Sequence, residues 1–399
     1  MTLDPEPQKP ARLLHPVPRR LAWLHFWNDF TLDFISPLLP GQVGVALLGV
    51  MEGAADALGQ ALKLVTGRAS DRSGRRVPWV RAGYAVNAVA RPLSAVGMLF
   101  GWPLWIVGCR VGDRIGKGLR GSASDALVAD WTPAAGRARA YAAMRTMDHL
   151  GATVGALAAA FAAWRWPDQL GWIVAALVLP MLVMLWLCRG LHDVDRAPVA
   201  SGGPSAGWWP RERRLRLPLW LIALASLGAK ISPLLVLARV AGWPGGEGAW
   251  PLWQACLAWA ALGLAQSAAA AAAGVVTDRL GPRTFLVVGW LAGAALYAGL
   301  VLTSGWALAI TGLGYAVLAG FTEGAEKTYV AALAPVGERA TTFGALGLLV
   351  AVATLAGSGL CGWGMRPEVL GASVFWFPAA ALAAAALALA AAGPPATTR

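Results

Sequence analysis

Gly67-Arg-Ala-Ser-Asp71-Arg72-Ser-Gly74-Arg75-Arg76 and Gly274-Val-Val-Thr-Asp278-Arg279-Leu-Gly281-Pro-Arg283 are two renderings of one pattern. Each has a glycine, an Asp-Arg pair, a second glycine and a closing arginine at the same offsets, and each follows a long apolar run. A second pair repeats in the same order: Pro133-Ala-Ala-Gly-Arg137-Ala-Arg139-Ala-Tyr141 against Pro335-Val-Gly-Glu-Arg339-Ala-Thr-Thr-Phe343. Two motifs recurring in order at nearly equal spacing indicate an internal duplication, the common construction of secondary transporters.

Working outward from the repeats, the chain reads as membrane-spanning throughout. Of its 399 residues 57% are hydrophobic and only 14% charged, against about 25% charged in an ordinary soluble domain. A helix needs about 20 residues to cross roughly 30 Å of hydrocarbon. Windows of that size give twelve spans. In the first half they cover 21–40, 43–65, 79–101, 103–127, 138–164 and 170–188; in the second, 217–241, 250–275, 284–303, 306–331, 341–362 and 371–391. The fourth, fifth and tenth are weak by hydropathy alone, being rich in charge or small residues. The expected fold is an all-α membrane protein with twelve transmembrane helices in two pseudo-symmetric six-helix bundles. A cytoplasmic tail covers 1–20, one bundle 21–190, a linker 191–216, the second bundle 217–391 and a second tail 392–399.

The net charge of +12 does not point to nucleic acid, because the basic residues lie in short loops between apolar runs. Arg19, Arg20, Arg68, Arg72, Arg75, Arg76, Arg189, Arg279 and Arg283 all fall on one side, while the other holds little beyond Arg165 and Arg366. The positive-inside rule then puts both termini in the cytoplasm, as an even number of spans requires. The first run carries Asn28, Asp29 and Asp33 and lacks a small-residue cleavage site, so it reads as a span and not a cleaved leader. Cys109, Cys188, Cys256 and Cys361 sit in apolar segments without metal-ligand spacing and read as small buried hydrophobes. Tryptophans such as Trp102, Trp131 and Trp306 lie at span ends, where interfacial anchoring accounts for them.

The loop motif after the second span resembles the signature loop of the major facilitator superfamily, with 274–283 as its degenerate second copy. Arg114-Ile-Gly-Lys117-Gly in the fourth span resembles that family's arginine-containing motif. The stretch from Asp113 through Arg120 to Asp130, with Asn28-Asp29 and Thr322-Glu323-Gly324, resembles a bacterial branch of it. The resemblance implies alternating access, spans 1, 4, 7 and 10 around a central cavity, and a cytoplasmic latch made by Gly67, Asp71, Arg72, Gly74, Arg75, Arg76, Asp278 and Arg279. Gly151-Ala-Thr-Val-Gly155-Ala keeps the glycine spacing of exporters in span 5 without their proline.

Without reference to the family, Gly67 and Gly74 read as permitting a tight turn, and Asp71 as an acceptor for the amides at a facing helix N-terminus. The loop arginines alternatively serve simple positive-inside anchoring.

An ionisable side chain within the bilayer is a functional candidate by default. Asp29 and Asp33 fall in span 1, Arg110, Asp113, Arg114, Lys117 and Arg120 in span 4, Lys230 in span 7, and Glu323, Glu326 and Lys327 in span 10. Arg110, Arg114, Lys117 and Arg120 follow helical spacing along one face, with Gly108, Gly112 and Gly116 on a packing stripe. The cations are answered either by carboxylates such as Glu52, Asp56 and Asp148 or by an anionic solute. Arg110, Arg114, Lys117, Lys230 and Lys327 are therefore the candidate cavity residues. Asp29, Asp33, Glu52, Asp148 and Glu323 are the proton-coupling candidates, and Arg91 is expected to pair with a carboxylate of the fold.

The chain contains no phosphate-binding Gly-x-x-x-x-Gly-Lys-Ser/Thr loop and no nucleophile or metal constellation, so no cofactor, no metal and no enzymatic activity are expected. The expected function is a secondary active transporter of a small anionic or zwitterionic organic solute in a bacterial inner membrane. Proton-coupled export by a monomer is the first expectation. Uptake of an organic anion and lipid flipping on the same scaffold are the alternatives.

Overall fold

The computed structural model describes residues 15–194, 215–243, 249–322, 326, 329–330, 333 and 339–392. Among these the chain is helical with no strand. The helices are α1 (Pro16–Ile35), a short α2 (Leu39–Val43), α3 (Val45–Ser73), α4 (Val77–Phe100), α5 (Pro103–Trp131), α6 (Ala134–Arg165), α7 (Leu170–Ala176) and α8 (Val178–Arg189). The second half contributes α9 (Arg216–Ala229), α10 (Pro233–Val240), α11 (Leu252–Leu280), α12 (Pro282–Leu302), α13 (Gly305–Thr322), α14 (Arg339–Gly364) and α15 (Trp376–Ala391).

These helices make the twelve expected passes, with α7 and α8 joined as the sixth and α9 and α10 as the seventh. Seven stretches are long and apolar enough to cross a membrane by length and composition. The tenth pass is one of them over Gly305–Thr322. The charge-bearing α1 and α5 are not among them, in keeping with a polar interior role.

Proline sets the interruptions. It lacks an amide hydrogen and crowds the carbonyl four residues back, so Pro233 ends α9 at Ala229. The groups freed at that break are satisfied from neighbouring helices. The Tyr297 hydroxyl donates to Gly228 O at 2.8 Å and the Tyr315 hydroxyl to Ile231 O at 3.1 Å, while the Ser232 amide donates to Ser358 Oγ at 3.1 Å.

Lipid tails are as apolar as leucine, so helix association here depends on close backbone approach. Glycines supply it. A methyl group on Gly83 of α4 would lie 2.5 Å from Gly116 O of α5, and one on Gly155 of α6 would lie 2.9 Å from Phe30 Cα of α1. The expected glycine stripe of α5 therefore packs through Gly112 and Gly116, whereas Gly108 faces open space. The two halves meet along α3–α14 and α6–α11. At the first seam, a methyl on Gly49 would lie 2.8 Å from Gly362 Cα.

Both signature loops turn on a glycine with positive φ, Gly74 at 66° and Gly281 at 75°. Gly67, expected to share that turn, is instead helical within α3 and faces Ser122 of α5. It has no turn to make, because α3 runs on to Ser73.

Candidate functional site

The charged residues of α5 divide between two neighbours. Arg110 meets Glu52 of α3 through Nε–Oε1 at 2.6 Å and Nη2–Oε2 at 3.1 Å. Arg114 lies 3.4 Å from the same carboxylate and 3.2 Å from Asp56. On the α4 side, Asp113 accepts from Arg91 Nε at 2.7 Å and Asn87 Nδ2 at 2.6 Å, so Asp113 is the carboxylate expected to answer Arg91. Arg91 also donates to Thr31 Oγ1 of α1 at 2.7 Å and to the Asn28 carbonyl.

Arg120, expected on one face with Arg110 and Arg114, turns instead toward α4 and stacks over the Tyr84 ring at 4.7 Å. Spacings of four, three and three residues from Arg110 to Arg120 drift around a helix of 3.6 residues per turn enough to separate the ends of the stripe. Lys117 is exposed and makes no described ion pair; its charged neighbours are Arg114, Asp56, Asp29 and Arg120. In the second half, Lys230 at the α9–α10 break pairs with Glu326 at 3.1 Å.

Between the halves lies a cavity of about 260 Å3. Asp29 and Asp33 of α1, Arg145 and His149 of α6, Trp259 of α11 and Tyr315 of α13 supply its polar and aromatic lining. Two hydrogen bonds cross the seam there. Trp259 Nε1 donates to Asp33 Oδ1 at 2.7 Å, and Ser267 Oγ lies 2.7 Å from His149 Nδ1. Neither Asp29 nor Asp33 has a cation within ion-pair distance among the described residues. The nearest polar partner of Asp29 is the Asn28 amide at 2.6 Å.

Asp148 does not line this cavity. It faces His25 of α1, with Oδ1 2.6 Å from His25 Nδ1, and lies 3.9 Å from Arg145. The other ring nitrogen, Nε2, is 3.4 Å from Ser124 Oγ of α5. His25 and Trp259 were not singled out by sequence. His25 sits one turn before Asp29, and that spacing was the available signal; nothing local distinguishes Trp259 from the other tryptophans.

Beside the signature loop, Asp193 Oδ1 accepts from the backbone amides of Arg76 at 2.7 Å and Val77 at 3.0 Å, capping α4. Arg76 approaches Asp130 at 3.7 Å, whereas Arg72 and Arg75 are exposed. Arg81 donates to Cys188 O, Arg189 O and Leu191 O at the end of α8. Arg283 does the same at the end of α15, reaching Leu389 O at 2.8 Å and Ala390 O at 3.3 Å. Arg279 is exposed. The side chains of Asp71 and Asp278, and residues Glu323 and Lys327, lie outside the described residues.

Two bundles of helices closing on a polar cavity at their seam are the architecture of a membrane transporter. The profile of the Major Facilitator Superfamily matches residues 21–358, and the chain belongs to that family. An uncharacterized protein of Mycobacterium tuberculosis is 29% identical over 343 residues, covering 82% of this chain and 80% of its own. An uncharacterized MFS-type transporter of Methanocaldococcus jannaschii is 25% identical over 141 residues, 34% of each chain.

Solved structures agree in fold. The nucleoside transporter NupG superposes with TM-score 0.74 at 11% identity, covering 94% of this chain and 99% of that one. A peptide transporter of the POT family in complex with sulfate gives 0.73 at 15% identity over 96% of both chains. The human organic anion transporter MFSD10 (TETRAN) gives 0.64 at 19%, over 96% of this chain and 100% of that one.

Proposed function

We propose that the protein is a proton-coupled secondary transporter that exports a small zwitterionic organic solute by alternating access. The observation that carries the reading is Asp33: a carboxylate on the cavity wall, hydrogen-bonded across the seam by Trp259 and without a described ion-pair partner. A carboxylate so placed changes its surroundings whenever the halves rock, and a group whose environment changes between states can take up and release a proton.

Charge on the cavity wall supports the zwitterion over the simple anion. Arg110 and Arg114 are occupied by Glu52 and Asp56, so they offer an anion little. Asp29 and Asp33 provide negative charge and Arg145 positive charge on the same wall, which suits a solute carrying both signs. Lys117, near Asp29, and Lys230, beside Glu326, extend the cationic side. Glu52, with its two arginines, serves structure in this reading and not proton coupling.

The protein works as a monomer in a bacterial inner membrane with both termini cytoplasmic, and its bundles, linker and tails divide at 21–190, 191–216 and 217–391. The loops carrying Asp71, Arg72, Arg75, Arg76, Asp278 and Arg279 latch the cytoplasmic side.

The test is counterflow and pH-driven flux in proteoliposomes, comparing radiolabelled amino acids and dipeptides with small carboxylates. Flux of a zwitterion driven by an inside-acid gradient, and lost in Asp33→Asn, supports the reading. Flux of carboxylates alone, or flux indifferent to the pH gradient, refutes it. Accumulation driven in the opposite sense would make the protein an uptake symporter.

A further inference from the structure

His25, Asp29 and Asp33 are spaced by four residues along α1 and so share one face of it. Each step rises about 6 Å along the helix axis. Asp33 and Asp29 lie on the cavity wall. One turn nearer the N-terminal end, His25 leaves the cavity and enters a separate cluster of three helices. There Asp148 of α6 holds Nδ1 at 2.6 Å, and Ser124 of α5 stands 3.4 Å from Nε2. Beyond Asp148 comes Arg145, whose side chain is 72% exposed. The stripe thus runs along α1 from Asp33 to the His25–Asp148 cluster, beside which Arg145 carries the exposed edge of the same cavity wall.

We infer that His25, Asp29 and Asp33 form a proton relay along α1, with His25 as its terminal carrier and Asp148 and Ser124 as the residues that position it. The inference rests on the proton coupling proposed above and assigns that proton its route. With Nδ1–H donated to Asp148, Nε2 keeps its lone pair. A proton carried as the Asp33 carboxylic acid passes to the Asp29 carboxylate and then to His25 Nε2. The imidazolium formed there has its charge offset by Asp148. Loss of one proton to water beside Arg145 restores the neutral ring. Each transfer moves one proton and no electrons, and one positive charge moves along α1 from Asp33 toward its N-terminal end.

The groups facing the relay fit this duty. Asp29 is surrounded by Asp148, Arg120, His25 and Lys117. Asp33 is surrounded by Asp29, Trp259, Arg110 and Arg91. Of those cations Arg110 and Arg91 are committed to Glu52 and Asp113, Arg120 stacks over Tyr84, and Lys117 makes no described ion pair, which leaves the relay carboxylates able to exchange protons and not bound in ion pairs.

The experiment uses the full chain in proteoliposomes. With amino acids and dipeptides present on both sides as exchange partners, a valinomycin-imposed potassium potential drives protons, and pyranine trapped in the lumen reads the flux. His25→Ala is expected to slow the flux about tenfold or more, in line with the loss of a positioned proton carrier, and added imidazole to restore it. Asp148→Asn keeps a hydrogen-bond partner for His25 while removing the charge, and is expected to move the pH profile of the flux. A His25→Ala flux equal to wild type, or an Asp148→Asn profile that does not move, overturns the relay while leaving proton coupling standing. If His25→Ala does not reconstitute, the Asp148→Asn profile decides alone. Wild-type flux no greater than that of empty vesicles overturns the relay and proton coupling together.

Discussion

Glu52 grips Arg110 with both carboxylate oxygens, at 2.6 and 3.1 Å, and turns one of them toward Arg114 at 3.4 Å. The glutamate is 3% exposed, so α3 and α5 are tied by an ion pair away from water. Removing one member of such a group leaves a buried charge unanswered, at a cost of about 3–5 kcal/mol in soluble proteins. Glu52→Gln is therefore expected to lower the thermal midpoint of the detergent-purified protein by several degrees. A midpoint unchanged from wild type would mean that Asp56 alone satisfies both arginines.

The seam between the halves depends on bare backbone. Gly49 and Gly362 approach so closely that a methyl on either would sit 2.8 Å from the other's Cα. Gly49→Val forces α3 and α14 apart and is expected to shift the population toward states open at that end. Distances between spin labels on α3 and α14, measured by pulsed EPR, should lengthen relative to wild type.

Trp259→Phe keeps the ring but removes the indole N–H that reaches Asp33 across the seam. A hydrogen bond to a charged group contributes about 1.5–3 kcal/mol. Loss of this bond is expected to weaken the closed seam and speed exchange between access states, read as faster cysteine labelling on the cavity wall. Trp259→Ala, which also deletes the packing, serves as the stronger comparison.

Arg81 and Arg283 cap the last carbonyls of α8 and α15 in the two halves. A cation at a helix C-terminus contributes about 0.3–1 kcal/mol when exposed. Arg81→Ala and Arg283→Ala should each destabilise by about that amount, and additively, since the sites lie in different bundles. Thermal unfolding of the single and double variants checks both statements.

His15, just before α1, stacks on Trp131 at 4.4 Å, and Trp131 in turn meets His192 edge-on. Slight burial and the neighbouring His192 hold His15 below its ordinary value of 6.5. The folded state thus favours the neutral ring, and the unfolded state binds more protons as acidity rises. The contribution of this contact is full above about pH 6.5 and is lost as pH falls below it. The thermal midpoint of His15→Gln should accordingly change less than that of wild type between pH 7.5 and 5.5.

Much of the candidate site was legible in the residues. Asp29, Asp33, Glu52 and Arg110 stood out because an ionisable group in an apolar run is rare enough to carry meaning. The partner of Arg91 could be expected as a carboxylate but not named, since Asp113 lies 22 residues away on another helix. His25 passed unnoticed because a single histidine near a span end has no local signature; only Asp148, 123 residues further on, makes it a pair. Gly67 lies within the helix and not in the turn because the apolar run ends near Val65 while α3 continues in polar residues to Ser73, beyond where hydropathy marks it.

By itself the sequence determined that the chain spans a bilayer, that its halves are duplicates, and how many times each crosses. Those properties follow from local quantities: apolar run lengths against the thickness of hydrocarbon, and motif recurrence along the chain. Only the tertiary structure decided which charges neutralise one another and which stand free on the cavity wall. That outcome depends on helix rotation and on which glycines let backbones touch. A rotation of less than one residue's turn separates Arg110, locked to Glu52, from Lys117, left exposed.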